Sequence, residues 1–223
     1  MTAPTWPTTR ELPLVEGRSA LLIVDVQNYC CHRNGGEFAG LSAAAFEARF
    51  GGFFQQFERS ALPNLKRLIA ACRAAGVEVL YTTIESLTRD GRDRSLDYKI
   101  TGFNVPKGSW DGRVIDAIAP GEDEIVLPKS SSSVFNSTSI DYVLRNLGVE
   151  RLAIAGIYTD QCVEGAVRDA CDLNYLVTLV EDACATYTPE RHDNSLKALK
   201  GYCRIVTTDQ VVAELGQARR KAG

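Results

Sequence analysis

The sequence predicts an α/β fold: a six-stranded parallel sheet between two layers of helices, in a three-layer αβα arrangement. Three observations carry this. Short apolar runs rich in β-branched residues recur along the chain, stretches with helical start and stop signals separate them, and the runs are near-continuously hydrophobic, which suits strands buried on both faces. Strand alternating with helix implies parallel pairing through right-handed crossovers.

In order, the strand candidates are ALLIVDV (20–26), VEVLYTT (77–83), EIVLP (124–128), RLAIAGI (151–157), YLVTLVE (175–181) and CRIVTT (203–208). Pro63 opens the helix NLKRLIAACRAAG and Gly76 closes it. Thr138 or Ser139 opens IDYVLRNLG with Gly148 as its stop, and Pro189 opens ERHDNSLKALKG with Gly201 as its stop. A further helix follows position 162, where Val163, Ala166, Val167, Ala170 and Cys171 form a buried stripe at helical spacing. Two stretches interrupt the alternation. Residues 28–60, with GGEFAG and FEARFGGFFQQFERS, predict an elaborated loop plus a short helix, and residues 84–123 hold the charged block TRDGRDRSLDYK followed by KGSWDG. Long connections in a compact domain are often functional, so both are lid candidates.

Composition fits one globular domain over residues 1–223, 45% hydrophobic and 24% charged, long enough to bury a sizeable core. A net charge of −3 argues against a nucleic-acid partner. No apolar run reaches the roughly 20 residues of a membrane-crossing helix. Seven Cys stand against two His. The Cys count is odd, CxxC is absent and the N-terminal MTAPTWPTTRELP has no apolar signal core, so the expectation is reduced thiols in a cytoplasm. His32 and His192 leave little material for a metal site, and no metal or cofactor is expected.

Ligands of an open parallel sheet bind beyond the carboxyl ends of its strands. Three polar residues fall there: Asp25 in IVDVQ, Lys129 directly after EIVLP, and Cys162 after LAIAGIYTDQ at a helix opening. Each alone has an ordinary explanation as a cap, a solvated lysine or a small core residue. On one sheet edge they bring together an acid or base, a cation and a nucleophile. Cys162 lies off the buried stripe, in the first turn, where free N–H groups and the helix dipole predict a thiol pKa below its ordinary value of about 8.5. Cys171 lies on the stripe and is expected to be inert. His192 is expected to be solvated, whereas His32, in the first long connection, could reach the site. Adjacent Cys30 and Cys31 raise a redox alternative, weakened because neighbouring cysteines strain a mutual disulfide. Without GxGxxG after a strand, GxxxxGK[ST] or GxSxG, dinucleotide, P-loop and serine-hydrolase readings lack their markers.

The runs IVDVQ, LPKSSSSVF and GIYTDQCVEGAVRDA, in this order and spacing, resemble the isochorismatase-like cysteine hydrolases over residues 18–212. The resemblance implies a Rossmann-like six-stranded sheet, Asp25, Lys129 and Cys162 as a catalytic triad, and a homo-oligomer, dimer or tetramer. It also implies a non-proline cis peptide at Ile157–Tyr158 and an oxyanion hole from the backbone N–H groups of Tyr158 and Cys162. Departures narrow the choice within the family. Isochorismatases proper carry a small residue where Cys162 stands, and nicotinamidases bind a metal through an Asp and two His in a segment that here reads TTIESLTRDGRDRSLDYK, without His. The segments KGSWDGRVIDAIAP and DEIVLPK are similar to those of the metal-free ureidoacrylate and carbamoyl amidohydrolases. Those enzymes carry an Arg two places after the Lys for a substrate carboxylate, but Ser131 stands there, so Arg92, Arg94 or Lys99 supplies the cation or the substrate is neutral.

The expectation is therefore a cysteine amidohydrolase that cleaves a C–N bond of a small ureido, carbamoyl or carboxamide substrate through a thioester on Cys162. Gln27, Asn28, Phe135 and Tyr158 are the expected pocket residues. A catalytically silent binding or scaffold protein on the same fold, or a metal-independent nicotinamidase-like enzyme, are the alternatives.

Overall fold

A computed structural model describes residues 7–222. The strands β1 (Ser19–Val24), β2 (Glu78–Ile84), β3 (Ile125–Lys129), β4 (Arg151–Ile157), β5 (Leu176–Ala185) and β6 (Arg204–Val206) form one sheet in the order β3-β2-β1-β4-β5-β6, with every pairing parallel. The central β1 is buried along its whole length, which is why its sequence shows no polar alternation. The strand order reverses direction between β1 and β4. Right-handed crossovers that run one way from β1 and the other way from β4 place their helices on opposite faces and leave a crevice where the two loops diverge.

The helices are α1 (Asn28–Cys31), α2 (Ala43–Gln56), α3 (Leu62–Ala74), α4 (Leu96–Thr101), α5 (Val134–Ser137), α6 (Ile140–Asn146), α7 (Glu164–Asp172), α8 (Pro189–Leu199) and α9 (Thr208–Ala222). α3 packs against α9 and the sheet, while α7 packs against β4 and β5.

The first long connection departs from the expected loop. Its aromatic-rich segment is the 14-residue α2, and a π-helical turn over Phe57–Ala61 carries it directly into α3. Pro63 therefore does not open a helix; it lies in the first turn of α3, just after the widened turn. A proline inside a regular α-helix clashes with the carbonyl four residues back, and an extra residue in the preceding turn relieves that clash. Phe50, Phe53, Phe54 and Phe57 point into the core, so the aromatic density is packing. The second connection is also partly ordered, by α4 and by 3-10 turns at Trp110–Gly112 and Asp116–Ile118. Cys171 corrects another expectation: Val163, Ala166, Val167 and Ala170 are fully buried, but Cys171 at the end of α7 is only half-buried and donates to the carbonyl of Tyr202 at 3.2 Å.

Candidate active site

β1 ends at Val24, and the chain turns at Asp25 with φ 54°, the left-handed region that aspartate tolerates better than most residues. The turn is held by the Asp25 N–H donating to the Thr82 carbonyl at 3.0 Å and by the Thr82 hydroxyl donating to Asp25 Oδ1 at 3.1 Å. Asp25 Oδ2 faces Lys129 Nζ at 2.9 Å and accepts no further hydrogen bond. Lys129, the last residue of β3, is fully buried and reaches Asp25 across the intervening β2. Its ammonium also donates to the carbonyl of Ser131 at 2.9 Å, to Tyr98 Oη at 3.3 Å and to Cys162 Sγ at 3.4 Å. Burial alone would lower this ammonium, but the Asp25 carboxylate beside it prevails and holds its pKa well above the ordinary lysine value.

Cys162 follows β4 on a turn over Thr159–Val163 that leads into α7. The Ile157–Tyr158 peptide before it is cis. Gln161 departs from helical geometry (φ −128°, ψ −105°), which kinks the turn just before Cys162, and the regular helix α7 begins at Glu164. The structure reverses the expected direction of the thiol pKa. Burial pushes Cys162 up to about 12, and the nearby Lys129 ammonium offsets only part of that. The resting site thus holds a neutral thiol beside an Asp25–Lys129 ion pair.

Asp25 and Cys162 line a cavity of about 200 Å³, with Tyr98, Phe103, Tyr158, Glu37, Asp97 and Gln161 among its walls, while the Lys129 ammonium lies behind them, bonded to both. That is below the roughly 300–1,000 Å³ of ordinary ligand pockets and suits a substrate of few heavy atoms. α4 delivers Tyr98: Ser95 caps the helix by accepting from the Tyr98 N–H at 3.2 Å, and the Tyr98 ring stacks on Phe103 with centroids 5.2 Å apart. Glu37 sits in the turn Gly36–Phe38. That turn approaches α1 so closely that a Cβ on Gly35 would fall 2.2 Å from the carbonyl oxygens of Asn28 and Tyr29. The Glu37 carboxylate accepts from Tyr158 Oη at 2.8 Å and Tyr187 Oη at 2.7 Å, and burial pushes its pKa above the ordinary glutamate value against those two hydroxyls.

Of the expected pocket residues, only Tyr158 lines this cavity. Gln27 is fully buried with its amide committed to the backbone, donating to the Ile84 and Asp111 carbonyls at 2.8 and 3.0 Å and accepting from the Ile84 N–H at 2.5 Å. The Asn28 amide donates to the Trp110 carbonyl at 3.0 Å, and Phe135 packs on Tyr175. His32 is exposed and rests edge-on against Trp110, away from the cavity. None of the candidate cations lines the cavity. Arg92 is exposed and pairs with Asp90, Arg94 donates to the Gly91 and Phe103 carbonyls, and Lys99 is exposed. Cys30 lines the cavity while Cys31 faces a separate hollow, and both are free thiols. Among the described residues no three His, Cys, Asp or Glu side chains gather as a metal site, and no helix is long and apolar enough to cross a membrane.

Tyr98, Phe103, Glu37 and Asp97 escaped sequence reasoning. A Ser95 cap opening a short helix in TRDGRDRSLDYK was a usable signal for Tyr98; nothing local marks Glu37. His192 also differs from expectation, being half-buried with Nδ1 2.9 Å from Thr159 Oγ1 and its pKa lowered by burial. With it, Ser195 donates to Glu164 Oε2 at 2.7 Å and to the Thr159 carbonyl at 3.3 Å, and Arg191 pairs with Asp160 at 2.5 Å. α8 thereby clamps the turn that presents Cys162.

Residues 19–211 match the isochorismatase domain family. The ureidoacrylate amidohydrolase of Agrobacterium fabrum is 29% identical over 206 residues, 85% of this chain and 85% of that protein. That of Klebsiella variicola is 30% identical over 200 residues, 82% and 79% of the two chains. Among solved structures, a cysteine hydrolase from Pseudomonas syringae pv. phaseolicola superposes with a TM-score of 0.77 at 23% identity, covering 98% of this chain and 100% of the other. N-carbamoylsarcosine amidase from Thermoplasma acidophilum gives a TM-score of 0.64 at 26% identity, with 86% and 97% covered.

Proposed function

Because this chain belongs to the isochorismatase family, we propose that it is a cysteine amidohydrolase acting on a small ureido, carbamoyl or carboxamide compound. One observation carries the reading: Asp25, Lys129 and Cys162, drawn from three separate strand ends, meet at the crevice between β1 and β4, where Asp25 and Cys162 open into a small cavity and Lys129 bonds both from behind.

A thiol with a pKa near 12 is a poor nucleophile until a base takes its proton, and Asp25 Oδ2, with capacity to accept, is the base at hand. Lys129 stabilises the thiolate that forms and pairs with Asp25 until then. The thiolate attacks the carbonyl carbon, and the backbone N–H groups of Tyr158 and Cys162 hold the oxyanion, an arrangement in which losing one donor typically costs about 100- to 1,000-fold. The C–N bond breaks as Asp25 returns its proton to the leaving nitrogen, which departs as ammonia or an amine. Water, deprotonated by the same Asp25, then cleaves the thioester, restores the thiol and releases the acid. The exchange is redox-neutral, and the chain's own residues make every proton transfer.

Cys162→Ser is expected to retain the fold by circular dichroism and to lose at least about 1,000-fold in ammonia release from a panel of such amides. Turnover within tenfold of wild type would refute the nucleophile assignment.

A further inference from the structure

The walls of the cavity carry an uneven charge. Among the described residues no cation lines it; the Lys129 ammonium behind Asp25 and Cys162 is committed to Asp25, the Ser131 carbonyl, Tyr98 and Cys162, so it is neutralised before a substrate arrives. Asp25 is spent in the same pair. Glu37 and Asp97 remain, and neither forms an ion pair among the described residues. Around them stand the aromatic rings of Tyr98, Phe103 and Tyr158. The arginines around it do not line it: Arg94 is spent on the Gly91 and Phe103 carbonyls, and Arg49, whose charge bears on Glu37 from next door, stays outside. Arg49 covers the Phe50 ring at 5.2 Å and Arg191 is tied to Asp160, both in an adjoining hollow that shares only Glu37, Thr101 and Phe103 with the cavity.

Resting on the amidohydrolase reading of this same cavity, we propose that the substrate is a urea or primary amide whose non-reacting end carries a positive charge, and that Glu37 is the residue that selects it. A substrate carboxylate here would be stripped of water beside Glu37 and Asp97 where, among the described residues, no cation lines the cavity, which is unfavourable in a small, partly dry site. An ammonium in the same place gains the Glu37 carboxylate and the negative faces of the aromatic rings, the pairing by which aromatic pockets recognise cations. Asp97 at the rim draws a cation inward. The Tyr158 and Tyr187 hydroxyls fix the Glu37 carboxylate before the ligand binds, so little ordering remains to be done.

The test uses matched N-propylureas whose terminal carbon carries an ammonium, a hydrogen or a carboxylate. Ammonia release by the wild-type protein gives kcat/KM, and calorimetric binding to Cys162→Ser protein gives Kd. The expected order is ammonium, then neutral, then carboxylate, with about tenfold or more between first and last. In Glu37→Gln the ammonium-to-neutral ratio is expected to fall toward one. A carboxylate compound that ranks first, a ratio unchanged in Glu37→Gln, or no binding of any compound would overturn the assignment. If wild-type protein cleaves none of the three while Cys162→Ser protein binds them in the stated order, the hydrolase reading falls and the charge selection stands. Cleavage without charge order gives the converse.

Discussion

Lys129 and Asp25 are both essentially without solvent contact, so each is tolerable only in the presence of the other. Removing one partner of a buried ion pair costs about 3–5 kcal/mol, because the survivor keeps its charge and loses its counter-charge, whereas removing both is often close to neutral. Lys129→Met should therefore lower stability in urea denaturation by about 3–5 kcal/mol, and adding Asp25→Asn should recover most of the loss without recovering activity. A double variant no more stable than the single one would show that the pair is not the reason for the lysine. At this scale the sequence was partly legible. Asp25, Lys129 and Cys162 announced themselves because strand ends are predictable and polar residues there are few. Gln27 and Asn28 stood at an equally suggestive strand end but are consumed by the backbone of residues 84 and 110–111, far along the chain. Only tertiary geometry separates a side chain that meets substrate from one that satisfies a carbonyl.

Among the elements, β4 shows how closely the site is tied to sheet packing. Gly156 has φ 127°, and a Cβ there would sit 2.2 Å from the Val24 carbonyl oxygen and 2.7 Å from the Val24 nitrogen. Both obstacles are backbone of β1, so an added methyl group must push the two central strands apart. Gly156→Ala is expected to lower stability by about 2–4 kcal/mol through overpacking and an unfavourable φ. It should also reduce kcat more than tenfold, since Asp25 follows Val24 directly and the Cys162 turn follows Ile157. A calorimetric melt and an ammonia assay on the same preparation would check both parts, and a variant with wild-type Tm would refute the crowding. The strands were readable from composition, α8 from its Pro189 start and Gly201 stop, α6 from Ser139 and Gly148, and α3 from its Gly76 stop alone. α2 was not, because FEARFGGFFQQFERS carries two glycines and is followed by a proline, and the turn that accommodates Pro63 depends on a local widening that no periodicity reveals.

The whole molecule buries thiols as it buries apolar surface, and this shapes its response to alkali. Burial pushes Cys72, Cys162 and Cys184 each up to about 12 from an ordinary value near 9. Below about pH 8.5 folded and unfolded states are both protonated and the stabilisation is intact; above it only the unfolded chain ionises freely, so stability falls until the folded thiols titrate in turn. At pH 10.5 the loss amounts to about 2 kcal/mol per thiol, comparable in sum with the 5–15 kcal/mol of a typical domain. The Tm should be flat between pH 7 and 8.5 and drop steeply by pH 10.5 in scanning calorimetry; a flat profile throughout would contradict the burial of these groups. The overall architecture was the most legible level, since alternating strands and helices admit few topologies, whereas charge at the pocket wall depends on which loops fold inward and was not. The strand order carries one more consequence. β3 is an outermost strand with a single hydrogen-bonded neighbour, and it supplies Lys129. Margins of a sheet fray by local opening at a fraction of the global unfolding free energy. Each such opening would withdraw the ammonium from Asp25 and Cys162 while the centre of the sheet stays closed, so on the proposed mechanism competence for the reaction is a less durable property of this molecule than its shape.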